Sequence, residues 1–234
     1  MIKAVLFDLD GTLLPMDQDE FLKKYLTLLT IKTAPLGYPS ENFAKSVMLA
    51  TYDMIKNDGT QNNEEVFWSS FAKIYGDKVY DDKVKFDEFY ENEFDLAREH
   101  CGVNPESARL IKKLQENNIK CILATNPVFP QVATKRRIAW AGLSYDDFEL
   151  VTTYENIGYC KPNTEYFAEI LRRYDLNPQE CVMVGNDVDD DMVASKIGLN
   201  VFLLTDCLIN KNKADISCYA QGGFKELEEY IFSL

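Results

Sequence analysis

Two aspartates stand two residues apart where the first apolar run of the chain ends, in the order Phe7-Asp8-Leu9-Asp10-Gly11-Thr12. Carboxylates at this spacing on a strand end project to the same side, and such a pair is costly unless a cation or a shared proton relieves it. Asp-Gly by itself only marks a turn. The further acidic segment Gly185-Asn186-Asp187-Val188-Asp189-Asp190-Asp191 closes another apolar run. Carboxylates from both runs meeting in one crevice would form the oxygen-rich site that magnesium prefers. Thr125-Asn126 ends a third apolar run and Lys161-Pro162 opens a later segment. Each of these two is weak alone, since Thr-Asn is common at turns and Lys-Pro at helix starts.

The elements that must position these residues are legible as buried strands alternating with helices. Ile2 to Phe7, Ile119 to Ala124, Cys181 to Val184 and Val201 to Leu204 read as strands buried on both faces, with a shorter one at Leu150 to Thr152. Asn104-Pro105 marks a helix start, and Ile111 and Leu114 follow at helical spacing. Tyr166, Phe167, Ile170, Leu171 and Tyr174 form a core-facing stripe after Lys161-Pro162, and Gly198 stops a helix that begins near Asp189. This alternation predicts an α/β fold with a doubly wound parallel sheet. In such a sheet ligands bind in the crevice at the carboxyl ends of the strands, where all four short motifs fall.

Between the first strand and Asn104 the apolar residues repeat only at helical intervals. Phe43, Val47, Ala50 and Met54 make one stripe, and Phe67, Phe71, Ile74 and Tyr75 another. Residues 17–98 are therefore expected to be an inserted all-helical domain whose aromatic residues form its own small core. Residues 1–16 and 99–234 are expected to form the α/β domain.

Taken in order, Phe-Asp-Leu-Asp-Gly-Thr-Leu-Leu, Leu-Ala-Thr-Asn, Lys161-Pro162 and Gly-Asn-Asp-Val-Asp-Asp-Asp resemble the four motifs of the haloacid dehalogenase superfamily, over residues 6 to 191. The resemblance implies a Rossmann-like core, with the helical insert placed where one class of cap domain lies. It also implies a magnesium-dependent phosphatase. Asp8 would be the nucleophile that forms an aspartyl-phosphate, and Asp10 the group that protonates the leaving oxygen and then activates water. Thr125 and the Asn126 backbone would hold phosphate oxygens, and Lys161 would offset the charge of Asp8 and the phosphoryl group. Asp8, the Asp10 carbonyl and the strand end at 186–191 would hold the metal. Asp10 favours phosphate esters over carbon–halogen bonds, because an alkoxide leaving group needs a proton and a halide does not. Asn186 departs from the more frequent Gly-Asp, so two ligand sets stay open: Asn186 with Asp191, or Asp187 with Asp191. Leu13, Leu14, Pro15 and Met16 would join core to cap, and specificity would reside in the cap.

The implied partner is a small phosphorylated metabolite. A phosphomutase of the β-phosphoglucomutase type shares every motif and is the enzymatic alternative; a phosphometabolite-binding protein without turnover is the other. The formal net charge of −13 disfavours nonspecific nucleic-acid binding, so an anionic substrate requires a local source of positive charge. The apolar runs are too short to span a bilayer, and the N-terminal residues lack the pattern of a secretory signal, which places the chain in the cytoplasm. The six cysteines include no Cys-x-x-Cys pair and are expected to be reduced. His100, the single histidine, has no partner motif and reads as solvated. The sequence leaves the oligomeric state open.

Overall fold

The computed structural model describes residues 1–234. Six parallel strands form one sheet: β1 (Ala4–Phe7), β2 (Lys120–Leu123), β3 (Leu150–Val151), β4 (Cys181–Gly185), β5 (Asn200–Leu204) and β6 (Ala220–Gly222), in the order β3-β2-β1-β4-β5-β6. The chain leaves β1 toward β2 and later returns to its other side at β4. The crevice of the doubly wound arrangement therefore opens above β1, between β2 and β4.

The sheet is buried on both faces because its side chains alternate with period two. Val5, Phe7, Leu123, Val184 and Phe202 face one layer; Ala4, Leu6, Ile122, Met183 and Leu203 face the other. The first layer includes α5 (Pro105–Glu116), α6 (Gln131–Trp140) and α8 (Phe224–Ser233). The second includes α7 (Thr164–Arg173) and the 3-10 segment Met192–Ile197. The expected elements are present, with local differences. Lys161 and Pro162 stand in the turn before α7, which Asn163 caps through the Glu165 N–H. The segment that Gly198 stops in a left-handed conformation is the short 3-10 turn rather than a longer helix.

Residues 18–92 hold four helices and no strand: α1 (Gln18–Thr33), α2 (Ser40–Ile55), α3 (Asn63–Tyr75) and α4 (Lys78–Asn92). A capping box at Asn62 and Glu65 starts α3, each side chain accepting the other residue's backbone N–H. Phe43, Val47, Ala50 and Met54 are buried as the stripe requires, whereas Ile74 is exposed. The aromatic residues do not form a separate core. Tyr38, Phe43, Phe71 and Phe86 pack among themselves, but Phe21, Tyr25 and Phe94 pack against Phe129 and Trp140 of the α/β layer. A single apolar cluster thus runs from the sheet into the helices.

Two polar connections fix how these helices meet the strand ends. The segments entering and leaving the helical region pair side by side: Met16 bridges Cys101, and the Gly102 N–H donates to the Pro15 carbonyl at 2.7 Å. Asn63, fully buried at the start of α3, donates to the Pro127 carbonyl at 3.2 Å and accepts from the Asn57 amide at 2.9 Å. Replacing a buried hydrogen-bonding group by an apolar one of similar size leaves its partners unsatisfied. The variant Asn63→Leu is therefore expected to lose about 1–3 kcal/mol of stability, measured by urea unfolding; an unchanged midpoint would show that this connection carries no weight.

Candidate active site

Asp8 follows β1, and its backbone N–H still bonds the Val184 carbonyl of β4 at 2.9 Å, so the nucleophile candidate is fixed by the sheet itself. Beyond it the chain turns sharply: the Gly11 N–H donates to Leu14 and the Leu14 N–H to Leu9. Gly11 has φ +85°, and the Asn186 side chain lies where a Cβ would project. Only glycine suits both demands. Gly185 meets the second of these demands, because the Asp191 carboxylate lies where its Cβ would project. The two glycines let side chains from the last acidic segment reach the first strand end.

At the centre stands Lys161, 1% exposed, whose Nζ donates to Asp8 Oδ1 at 2.8 Å and to Asp191 Oδ1 at 2.6 Å. Burial alone would depress the lysine pKa, yet the Asp191 and Asp8 carboxylates outweigh it and hold the ammonium charged well above its usual range. Asp191 spends its other oxygen on the Asp187 N–H at 3.0 Å. Burial nevertheless raises its carboxyl, with Lys161 opposing.

Asp8, Asp10, Thr125, Asn126, Lys161, Asn186, Asp187 and Asp191 line one cavity of about 210 Å³. Each residue singled out in the sequence therefore reaches the same crevice, although their environments differ. Thr125 is pinned through its carbonyl, which accepts from the Thr152 and Tyr166 hydroxyls at 2.7 and 2.9 Å. Asn126 donates weakly to Asp190 at 3.4 Å, and its buried Oδ1 has no partner. Asp187 Oδ1 accepts the N–H groups of Asp189 and Asp190 at 2.8 and 3.1 Å, closing its own turn. Asn186 donates its amide to the Cys207 carbonyl at 2.7 Å. Its Oδ1 accepts from the Thr12 hydroxyl at 3.0 Å, and the same hydroxyl lies 3.4 Å from Asp8 Oδ2.

No three His, Cys, Asp or Glu side chains converge closely enough to hold a metal ion by themselves. The donor set nevertheless suits magnesium, which binds through one or two carboxylates and keeps several waters. The crevice is lined by the carboxylates of Asp8, Asp10, Asp187, Asp190 and Asp191 against one lysine, and Asp8 Oδ2 and Asn186 Oδ1 share the Thr12 hydroxyl. Excess negative charge and paired hard oxygens are what such a cation would relieve.

Thr12 and Asp190 stand inside the motifs without a role assigned from sequence, and Gln18 and Arg137 lie outside the motifs altogether. Gln18, the first residue of α1, donates to the Asp10 carbonyl at 2.8 Å. Arg137, 1% exposed in α6, forms an ion pair with Asp10 Oδ2, donates to Thr134 at 3.3 Å and stacks on Phe129 with its guanidinium carbon 4.3 Å from the ring centre. It sits behind Asp10 and does not line the cavity. In Lys135-Arg136-Arg137 it reads as part of a solvated basic run. The missed signal is its place on the stripe of Ala133, Thr134 and Ile138, which α6 buries. Despite Arg137, desolvation pushes the Asp10 carboxyl up to about 6, with the Asp8 charge adding to the rise. Asp10 Oδ1 is buried without a partner.

Comparison with known proteins finds relatives in sequence and in fold. Over 209 residues the chain is 26% identical to the ribulose-1,5-bisphosphate 5-phosphatase of Halopiger xanaduensis, covering 87% of this chain and 84% of that one. It is 24% identical to the glyceraldehyde 3-phosphate phosphatase of Methanothermobacter thermautotrophicus, covering 93% and 95%. Among solved structures, a haloacid dehalogenase-like phosphatase from Thermococcus onnurineus superposes with TM-score 0.58 at 20% identity, covering 98% of both chains. The L-2-haloacid dehalogenase of Xanthobacter autotrophicus superposes with TM-score 0.59 at 16% identity, covering 100% of both; at these identities the likeness is one of fold. The family model of haloacid dehalogenase-like hydrolases matches residues 2–198, and the chain belongs to that family.

Proposed function

We propose that the protein is a magnesium-dependent phosphomonoester hydrolase acting on a small phosphorylated metabolite through an aspartyl-phosphate on Asp8. The observation that carries this reading is the bridging of Asp8 Oδ1 and Asp191 Oδ1 by Lys161, which leaves Asp8 Oδ2 in the crevice beside Asp10, Thr125 and Asn126. The phosphatases named among the relatives support it, as their substrates are small phosphorylated compounds.

In this reading a phosphoryl group lies over Asp8, its oxygens received by Thr125, the Asn126 backbone and the Lys161 ammonium. Asp8 attacks phosphorus as the ester P–O bond breaks, and Asp10 gives its proton to the departing alkoxide. The Asp10 carboxylate then takes a proton from the water that attacks phosphorus, which releases inorganic phosphate and restores Asp8. A carboxyl held near 6 suits both roles near neutral pH, since it gives and takes a proton at modest cost. Asp8, the Asp10 carbonyl and Asn186 would hold magnesium, with Asp191 or Asp187 behind. Asn186 is favoured over Asp187 because the Asp187 carboxylate already caps its own turn. When bound, the ion supplies positive charge to the phosphoryl oxygens and to the attacking carboxylate. Residues 17–98 serve as the cap that covers the crevice and excludes bulk water.

Asp8→Asn should abolish magnesium-dependent phosphate release from a generic phosphate ester; release at the parental rate would remove Asp8 as nucleophile. Asp10→Ala should lower the rate on an alkyl phosphate by about 10²–10⁴, measured as released phosphate, and a drop below about twofold would refute the acid–base role.

Asp10 also links stability to pH. Its folded pKa, about 6, lies above the ordinary 3.8. The folded state therefore binds this proton more tightly, and the resulting stabilisation is full below about pH 4 and lost as pH rises through about 6. In chelator, the parent should lose about 2–3 kcal/mol more than Asp10→Asn between pH 4 and 7, read from denaturant midpoints. Parallel curves for the two proteins would rule out this linkage.

A further inference from the structure

A second cavity, of about 200 Å³, lies between the helices and the α/β layer, and Leu22, Val128 and Phe129 line both it and the catalytic crevice. The crevice changes character along its length: carboxylates and Lys161 surround Asp8, whereas Met16, Phe21, Leu22, Val128 and Phe129 form its apolar part. The second cavity shares Leu22, Val128 and Phe129 with that apolar part. Twelve of its fifteen lining residues are hydrophobic, including Val47, Phe67, Trp68 and Phe86, and no lysine or arginine lines it.

The few polar groups there are mostly occupied. The Tyr25 and Tyr90 hydroxyls bond each other at 2.8 Å, and the Thr51 hydroxyl donates to the Val47 carbonyl at 2.9 Å. Asp87 is the single charged residue of the lining, and burial raises its carboxyl. The buried Trp68 indole N–H lies beside Tyr154 and makes no other hydrogen bond.

We propose that this cavity binds the organic part of the substrate, and that the substrate is the monophosphate of an aromatic or branched aliphatic alcohol rather than a sugar phosphate or a bisphosphate. The proposal rests on the phosphatase reading and names its substrate class. A second phosphate placed here would meet Asp87 and no cation, and the several hydroxyls of a sugar would lose water against a lining that offers little beyond Asp87 and the Trp68 N–H in return. An apolar group instead gains from burial, and a cavity of roughly 150 Å³ already accepts a benzene ring. The alcohol oxygen would stay beside Asp10 while the apolar body passes the Leu22 and Phe129 side chains.

The test compares benzyl and 3-methylbutyl phosphates with glycerol 1-phosphate and ribulose 1,5-bisphosphate, on the purified protein with magnesium. The first three esters all expel primary alkoxides, so leaving-group chemistry does not dominate their comparison. Benzyl or 3-methylbutyl phosphate is expected to exceed glycerol 1-phosphate by about 10–100-fold in kcat/KM, the span expected for burying one apolar group. Thr51→Phe, placed on the half-buried mouth, should reduce that preference at least about fivefold while the rate on acetyl phosphate is retained; Met48→Trp serves if the first variant misfolds. Equal or better turnover of glycerol 1-phosphate or the bisphosphate, or an equal loss on all esters, overturns the proposal. Absence of turnover on every ester and on acetyl phosphate defeats the phosphatase reading instead. The cavity is then judged by calorimetric binding of benzylphosphonate against methylphosphonate: tighter binding of the benzyl compound, lost in Thr51→Phe, supports it, and equal binding overturns it.

Discussion

The structure depends on one buried ammonium held between two carboxylates. Lys161 is 1% exposed and touches Asp8 from the first strand end and Asp191 from the acidic segment after β4. Taking an ion out of water costs several kcal/mol even after relaxation, so such a group persists only where its partners are close and its hydrogen bonds are made. Here both distances are below 3 Å, and the Asp187 N–H fixes the remaining oxygen of Asp191. Removing the lysine would leave two carboxylates buried beside each other. The parallel sheet supplies the frame, because β1 and β4 are neighbours in register and deliver their ends to the same height. Gly11 and Gly185 then remove the atoms that would keep the two ends apart.

What could be read from the amino-acid order follows from the range of each determinant. The strand-end motifs are local: a few residues at a fixed spacing carry both the turn and the chemistry, and all eight marked residues line one crevice. The sheet was legible for the same reason, since Val5, Ile122, Met183 and Leu203 lie in short branched or apolar runs. β6 was not, because Ala220–Gly222 is three half-buried residues without an apolar core of its own. Arg137 was hidden by its neighbours: Lys135 is exposed and Arg136 is half-buried and pairs with Asp95, and only the packing of α6 distinguishes the third cation of the run, which is fully buried. Gln18 reaches Asp10 across the turn that enters α1, and the second cavity gathers residues from distant parts of the chain; periodicity encodes neither. The helical stripes identified a packed region, but not that Phe21, Tyr25 and Phe94 would pack on Phe129 and Trp140.

The chain's charge gives the site a particular problem. A formal charge of −13 opposes the approach of an anion, and two cations are buried close to the reacting carboxylates. Arg137 is engaged by Asp10 from behind, so of the two only Lys161 borders the crevice. One lysine among five lining carboxylates leaves the crevice negative by itself, and the upward shifts of Asp10, Asp190 and Asp191 register that excess together with burial. A divalent ion held by Asp8 and Asn186 would reverse this locally, so phosphate affinity and metal affinity are expected to rise together rather than independently.

The same reasoning separates the two ends of the substrate. The polar end is specified by charge, and its requirements are common to any phosphate ester, so nothing in Asp8, Thr125 or Lys161 selects one alcohol over another. Selection must come from surfaces that do not touch phosphorus. Leu22 and Phe129 are placed to make that connection, being on α1 and in the loop before α6, with Phe129 also stacked on the arginine that grips Asp10. In the proposed reading, an alcohol that packs well against Phe129 would press on the same ring that stacks on Arg137, and hence on the position of Asp10. Recognition of the apolar body and placement of Asp10 would in this way be parts of a single packed contact, so a poorly fitting alcohol is expected to lose rate as well as affinity.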